Sequence, residues 1–391
     1  MGESKYIRKK KETKPVVAIC YDFDKTLSPT DMQAQGFIQS VGYDVNKFWD
    51  LSNGIAAAND MDQNLAYMYL MRSEAAGRVL FTRQTLMDYG SRVELFPGVA
   101  EWFEMIRTYG ETKGVIVEHY IISSGLKEMI DGTTIAQNGA FERVYASSFY
   151  YNEHGEAVWP AQVVNYTNKT QFLFRIEKGT LDINDPGVND SFSPSQVRVP
   201  FRNMIYIGDS DTDIPCMKLV TAYGGHSIGV FNSQTQDKAK VYKMLRDGRI
   251  RYFVPADYTQ GQELDQLVRM IIDRIAANER LEEQFNKYSA ETASHDESIS
   301  TEQRQKDDLM IRLEESMSFS NTHSVISEMI AIENWSNDEI EKLCTIATTN
   351  SQVSYILRDP DVSAFFSHII DNAKTPMGQH TDEVRSILSQ K

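Results

Sequence analysis

Two short apolar runs in this chain, "VVAIC" ahead of "YDFDKT" and "MIYI" ahead of "GDSDTD", each end abruptly in aspartates. Apolar, β-branched runs of this length, bounded by turn residues, read as fully buried strands. Strands buried on both faces belong to a parallel sheet covered by helices on each side. In an open parallel sheet, the loops at the carboxyl ends of the strands converge on one crevice. The first run therefore delivers Asp22 and Asp24 to that crevice, and the second delivers Asp209, Asp211 and Asp213. Carboxylates gathered in one crevice repel each other, so their pKa values rise or a cation sits among them. An all-oxygen donor set suits a hard ion, and Mg²⁺ takes one or two carboxylates together with water and substrate phosphate.

The rest of the chain fills in the alternation that such a sheet requires. "VIVEHYIISSG" reads as a second strand, "VYASSFYYNEHGEAVWPAQVV" as a hairpin turning at "NEHG", and "GGHSIGVF" and "YFVPADY" as further strands, the last at an edge. Helical spacing fills 31–95, which reads as a small all-helical insert, and continues after Pro97 and Gly98. "TNKTQFLFRIEKG" reads as a helix with Thr167 or Asn168 as its cap and Gly179 as its stop. Leu264, Leu267, Val268, Ile271, Ile275 and Phe285 fit one face of a long helix. The polar stretch after it has no apolar period and reads as a linker, 276–316 taking in the end of the helix and this linker. Ser336 and Glu339 form a capping box that opens a separate helical module over 317–391.

Charge narrows the partners. The formal net charge is −15, which disfavours nucleic acid and anionic membranes. The basic cluster "RKKKETK", Arg8 to Lys14, reads as part of a solvated tail over 1–14. Cys20, Cys216 and Cys344 stand far apart with no paired spacing, which favours a reducing, cytoplasmic setting. The N-terminus has no apolar signal core, and no stretch reaches the 18 or so consecutive apolar residues of a membrane span. No nucleic-acid or membrane partner is expected.

The order of these pieces resembles the haloacid dehalogenase-like (HAD) hydrolase superfamily, in particular its phosphoserine-phosphatase-like branch. "DFDKT" matches the first motif (DxDxT), Ser123 the second, Lys169 the third and "GDSDTD" the fourth (GDxxxD). Ser124 is an alternative for the second position and Lys178 for the third. The resemblance implies an α/β fold with a Rossmann-like parallel sheet, helices on both faces and a helical cap inserted after the first strand. The core then comprises 15–30 and 96–275, the cap 31–95, and the C-terminal all-helical module lies outside the resemblance.

It also implies a magnesium-dependent phosphatase acting on a small phosphorylated metabolite. Asp22 would attack phosphorus and form an aspartyl-phosphate. Asp24 would be the general acid and then the general base. Ser123 and Lys169 would cradle the phosphoryl oxygens. Asp22, the Asp24 carbonyl and Asp209 would hold Mg²⁺, with Asp213 holding a ligand or Lys169 in place. Thr26 would bond the backbone of its turn. A dehalogenase is a poorer match, because halide leaves without a proton and needs no acid at Asp24. A phosphomutase shares the nucleophile. A regulatory or scaffold protein is the non-enzymatic alternative, with the C-terminal module mediating oligomerisation or a protein partner.

Overall fold

A computed structural model describes residues 6–193, 196–373 and 378–389. The chain divides into two compact units, Met1–Glu282 and Glu283–Lys391.

The first unit is built on a seven-stranded sheet of β1 (Val16–Tyr21), β2 (Ile116–Leu126), β3 (Arg143–Tyr151), β4 (Ala157–Gln162), β5 (Met204–Gly208), β6 (His226–Phe231) and β7 (Tyr252–Pro255). Their order across the sheet is β4-β3-β2-β1-β5-β6-β7. All neighbours run parallel except β4, which returns antiparallel on β3. Every residue of β1 is buried: Val17, Ile19 and Tyr21 on one face, Val16, Ala18 and Cys20 on the other. On the first face, Trp102 and Ile106 of the helix Val99–Thr112 pack with Leu264, Val268 and Ile272 of the helix Glu263–Ser298. On the second, Phe172, Met217 and Met244 come from the helices Thr170–Lys178, Ile214–Ala222 and Ala239–Arg246. The sheet is thus Rossmann-like and covered on both faces. β1 is its middle strand, and Tyr21 pairs with Ile121 of β2 on one side and Ile207 of β5 on the other. That register brings the ends of three strands, far apart in sequence, level with one another.

Between β1 and the helix Val99–Thr112 lies the helical insert, with main helices Val45–Ala58, Gln63–Ala75 and Arg83–Gly90. Asp44, Asp62 and Thr82 start these helices by accepting hydrogen bonds from first-turn N–H groups. Phe48, Met68, Met71 and Leu86 join the apolar cluster on the first face of β1.

The basic N-terminal segment is not a solvated tail over its described part; residues 1–5 lie outside the described residues. The Lys9 N–H donates to the Gly179 carbonyl at 2.8 Å. Arg8 donates to the Lys178 carbonyl at 2.7 Å and stacks on Phe192. The cause is Glu118, a carboxylate buried within β2. A buried charge is costly unless paired. Arg198 donates to both of its oxygens at 2.6 and 2.9 Å, Lys9 reaches it at 2.5 Å, and Glu12 completes the cluster on Arg198.

Burial alone would push the Glu118 carboxyl up, but Arg198, Lys9 and Tyr120 hold it down at about 2. A group depressed in the folded state stabilises above its unfolded pKa, here 4.5, and loses that contribution as pH falls through the folded value. Glu118→Gln is therefore expected to lower stability at neutral pH by about 1.5–3 kcal/mol and to flatten its decline between pH 4.5 and 2. Urea unfolding across that range checks this; parallel pH profiles for variant and wild type would reject it.

The expected linker is also corrected. Residues 276–298 continue the helix Glu263–Ser298, and Thr301–Glu314 forms another, capped by Ser300 through Gln303 N–H at 3.0 Å. Ala, Glu, Gln and Lys favour helix without an apolar stripe, so the missing period removed the signal but not the propensity. Phe285, assigned to the apolar face, is 65% exposed. Leu309, Met310 and Leu313 belong to the core of the second unit. There they pack with residues of the helices Phe319–Ile330, Asn337–Thr349 and Pro360–Asp371. The Ser336–Glu339 capping box forms, with Ser336 N–H on Glu339 at 2.6 Å. Among the described residues, no helix is long and apolar enough to cross a membrane.

Candidate active site

Asp22 directly follows β1, and its N–H donates to the Ile207 carbonyl at 3.0 Å, level with the end of β5. The chain then turns tightly. The Phe23 carbonyl accepts from the N–H groups of Thr26, Leu27 and Ser28, and Lys25 takes a left-handed φ of 58°. Asp24 lines the same pocket as Asp22, as an i, i+2 pair on an extended segment should. Its Oδ1 accepts from Met32 N–H at 2.8 Å, tying the start of the helical insert to the site. Thr26 departs from its expected role. Its Oγ1 is buried with no hydrogen-bond partner among the described residues, and only its backbone serves the turn, the carbonyl accepting from Tyr258 at 2.8 Å.

Across β1, the end of β2 carries Ser123 and Ser124. Ser123 is fully buried, and its Oγ accepts from Gly125 N–H at 3.1 Å. Ser124 Oγ is buried without a partner among the described residues, while its carbonyl accepts from Tyr67 of the insert at 2.8 Å. Both serines line the pocket. Gly125 packs closely against the site: a Cβ there would lie 2.7 Å from Met32 Cε and 3.0 Å from Asp24 Oδ2, so those side-chain ends would have to shift.

Lys169 ends the 3₁₀ turn Tyr166–Lys169, which precedes the helix Thr170–Lys178. The N-cap of that helix is Lys169, with no side-chain cap bond, instead of Thr167 or Asn168; the capping box belongs to the preceding turn, where Asn165 N–H donates to Asn168 Oδ1 at 2.8 Å, two residues before Thr167. Lys169 is fully buried; its Nζ donates to Asp213 at 2.8 Å and lies 3.4 Å from Asp22. Lys178 points elsewhere, its Nζ donating to the carbonyls of Val188 and Asp190.

From β5 come Asp209 and Asp213. Both Asp213 oxygens are engaged: Oδ1 accepts from Lys169 and from Tyr206 Oη at 2.9 Å, Oδ2 from Ser210 N–H and Oγ at 3.0 and 2.8 Å. Asp209 meets Lys240 at 3.3 Å. Asp211 faces outward, its side chain 72% exposed and 3.7 Å from Arg249.

Burial pushes Asp22 up to about 7, reinforced by Asp213 and opposed by Lys169. Burial likewise holds Asp24 well above the usual carboxylate range, with Asp31 and Asp22 adding to it. Asp209 rises to about 6, mainly through burial, against the pull of Lys240. Burial would lower Lys169, but Asp213 and Asp22 together lift it above the ordinary lysine value. One oxygen each from Asp22, Asp209 and Asp213 lie within 4.8 Å of one another. That donor set fits a hard divalent ion. Asp213 already carries two donors on each oxygen, so Asp22 and Asp209 are the carboxylates best placed to hold one. The Asp24 carboxylate is outside this trio.

The cavity above these groups has a volume of about 180 Å³. Lys25, Asp31 and Lys240 also line it, and sequence reasoning did not single them out. Lys25 holds Asp31 at 2.9 and 3.0 Å. Lys25 stands directly after Asp24 within the opening motif and Asp31 lies five residues beyond that motif; Lys240 had no local signal.

Among known proteins, the model of the haloacid dehalogenase-like hydrolase family matches residues 19–218. A curated relative, an uncharacterized protein of Borreliella burgdorferi, is 24% identical over 278 residues, covering 65% of this chain and 95% of its own length. Similar solved structures include a HAD-family hydrolase of Salmonella enterica serovar Typhi, with 17% identity, 67% of this chain and 73% of that one covered, and a TM-score of 0.44. A probable phosphoserine phosphatase of Vibrio cholerae is 15% identical, with 68% and 67% covered and a TM-score of 0.44. The family match runs from within β1 into the helix Ile214–Ala222 and takes in both acid-ended strands, and the chain belongs to the haloacid dehalogenase-like hydrolases.

Proposed function

We propose that this chain is a phosphomonoester hydrolase that works through an aspartyl-phosphate on Asp22, with a small phosphorylated metabolite as substrate. The observation that carries this reading is the setting of Asp22: a carboxylate at the floor of a small pocket, 3.4 Å from a fully buried lysine, with Asp24 and Ser123 beside it. In the first step an Asp22 oxygen bonds to phosphorus, the bond from phosphorus to the leaving oxygen breaks, and Asp24 gives that oxygen its proton. In the second, Asp24 takes a proton from water, the water oxygen bonds to phosphorus, and the bond to Asp22 breaks. Lys169, Ser123 and the N–H groups near Gly125 hold the phosphoryl oxygens as charge gathers on them. Asp213 positions Lys169 rather than touching substrate. The acid at Asp24, its carboxyl pushed up by burial, favours an oxygen leaving group over a halide.

Asp22 and Asp209 would hold a divalent cation, most simply Mg²⁺. When bound, that ion shields the carboxylate from the anionic phosphate it attacks. Hydrolysis of p-nitrophenyl phosphate with Mg²⁺, and its loss with chelator, is the expected result. Absence of turnover on this ester and on a panel of phosphorylated metabolites would overturn the reading. Independently of activity, Mg²⁺ should raise the melting temperature of the wild-type chain, with about 2.7 kcal/mol of stabilisation at a free-ion concentration about a hundred times Kd. Asp209→Asn should lose most of that rise. Equal rises in both proteins would remove Asp209 from the ion site.

A further inference from the structure

Lys240 lines the pocket, yet the proposed reaction gives it no task. It sits in the helix Ala239–Arg246, just beyond β6. Its side chain is 48% exposed, so it lies at the edge of the pocket and within reach of solvent. Among the described residues, its hydrogen-bond partner is Asp209 alone. The other pocket cation, Lys25, is held by both oxygens of Asp31.

The lining restricts what can bind. Of its eleven residues, ten carry polar or charged side chains and the other is Gly125. A cavity of about 180 Å³ that opens to solvent admits a phosphoryl group and leaves its remainder at the edge, where Lys240 lies. Charge then selects the remainder. Lys169 is committed to Asp213 and Asp22, and Lys25 to Asp31. Lys240 leans on Asp209, one of the two carboxylates best placed to take a cation. A cation there would satisfy Asp209 and leave the Lys240 charge for another anion.

We propose that Lys240 is a specificity-determining residue that receives a second anionic group on the substrate, a carboxylate or a second phosphate a few bonds from the phosphoryl group. The inference rests on the phosphatase reading and narrows its substrate class to short, doubly anionic phosphomonoesters. A lysine ammonium suits this role as a compact charge on a flexible stem.

The test is calorimetric binding of non-hydrolysable probes to the full chain with Mg²⁺. 3-Phosphonopropanoate carries the carboxylate, propylphosphonate lacks it, and propane-1,3-bisphosphonate carries a second phosphonate in its place. The wild type should bind 3-phosphonopropanoate or the bisphosphonate about ten- to a hundredfold more tightly than propylphosphonate, the scale of one charge-assisted contact. The tighter of the two identifies the natural tail. In Lys240→Ala that ratio should collapse to within about twofold, and Lys240→Arg should restore much of it. Any change in cation affinity through Asp209 acts on all three probes and drops out of the ratio. A wild-type ratio near one, or a ratio that survives in Lys240→Ala, overturns the proposal. Hydrolysis of 3-phosphooxypropanoate and of propane-1,3-diyl bisphosphate is scored separately: no turnover of either with the affinity ratio intact overturns the phosphatase reading and leaves the anion site standing.

Discussion

Asp22→Asn should abolish phosphomonoester turnover, a loss of roughly 10⁴–10⁶-fold in kcat, the scale seen when a covalent nucleophile is removed elsewhere, while the chain stays folded. Asparagine keeps the volume of the side chain and an oxygen for Lys169, which approaches Asp22 at 3.4 Å. It cannot make the acyl-phosphate bond, and the neighbouring carboxylates among the described residues are engaged elsewhere, Asp209 with Lys240 at 3.3 Å. Asp24 is turned onto Met32 N–H, and Asp213 is saturated by Lys169, Tyr206 and Ser210. Stability should not suffer. Burial and the neighbouring Asp213 already disfavour the charged form of Asp22, so removing the charge relieves repulsion in the ion-free protein. The measurements are kcat with p-nitrophenyl phosphate, the melting temperature without divalent ion, and intact mass after brief exposure to substrate. The wild type should show a transient gain of one phosphoryl group that the variant lacks. A variant retaining more than a tenth of the wild-type rate would move the nucleophile elsewhere.

The parts of this site legible in the sequence were those carried by strands. A run such as Val16 to Tyr21, apolar at every position, can only be a strand covered twice, and its end is then fixed as a sheet edge where loops meet. Asp22 and Asp209 followed from that alone, because parallel neighbours in register bring their ends level, while Ser123 near the end of β2 came through the motif order. Lys169 was weaker as a sequence signal, since one lysine at a helix start has many uses. The Lys169 Nζ lies against Asp22 and Asp213, whereas the Lys178 Nζ donates to the Val188 carbonyl.

What the sequence hid was pairing between distant charges and helices without an apolar face. Lys240 meets Asp209 only because the element after β6 lies beside the end of β5, a fact of sheet order with no local trace. The docked N-terminal segment did leave a trace that went unused. Glu118 lies in a strand that is buried along most of its length, and a charge in a buried strand demands a counterion. The basic residues eight to fourteen were the nearest unassigned supply. The helix Thr301–Glu314 escaped because its apolar positions, Leu309, Met310 and Leu313, cluster at one end instead of recurring along it.

Asp24→Asn should cost about 10²–10⁴-fold in kcat with an alkyl phosphate, the usual range for losing a general acid, and markedly less with p-nitrophenyl phosphate. The difference between the two esters is the informative quantity. An alkoxide is a poor leaving group that needs its proton as the bond breaks, whereas p-nitrophenolate departs largely unaided. Burial, with Asp31 and Asp22 adding to it, raises Asp24 well above the usual carboxylate range, which favours the acid form that the first step needs. The substitution should leave the turn intact, because the asparagine oxygen still accepts from Met32 N–H, the bond that joins the insert to the site at 2.8 Å. A loss confined to the second step would appear instead as a phosphoenzyme that accumulates with p-nitrophenyl phosphate, since Asp24 must also take the proton of the attacking water. Equal losses with both esters, and no accumulated phosphoenzyme, would show that Asp24 shapes the turn but moves no proton.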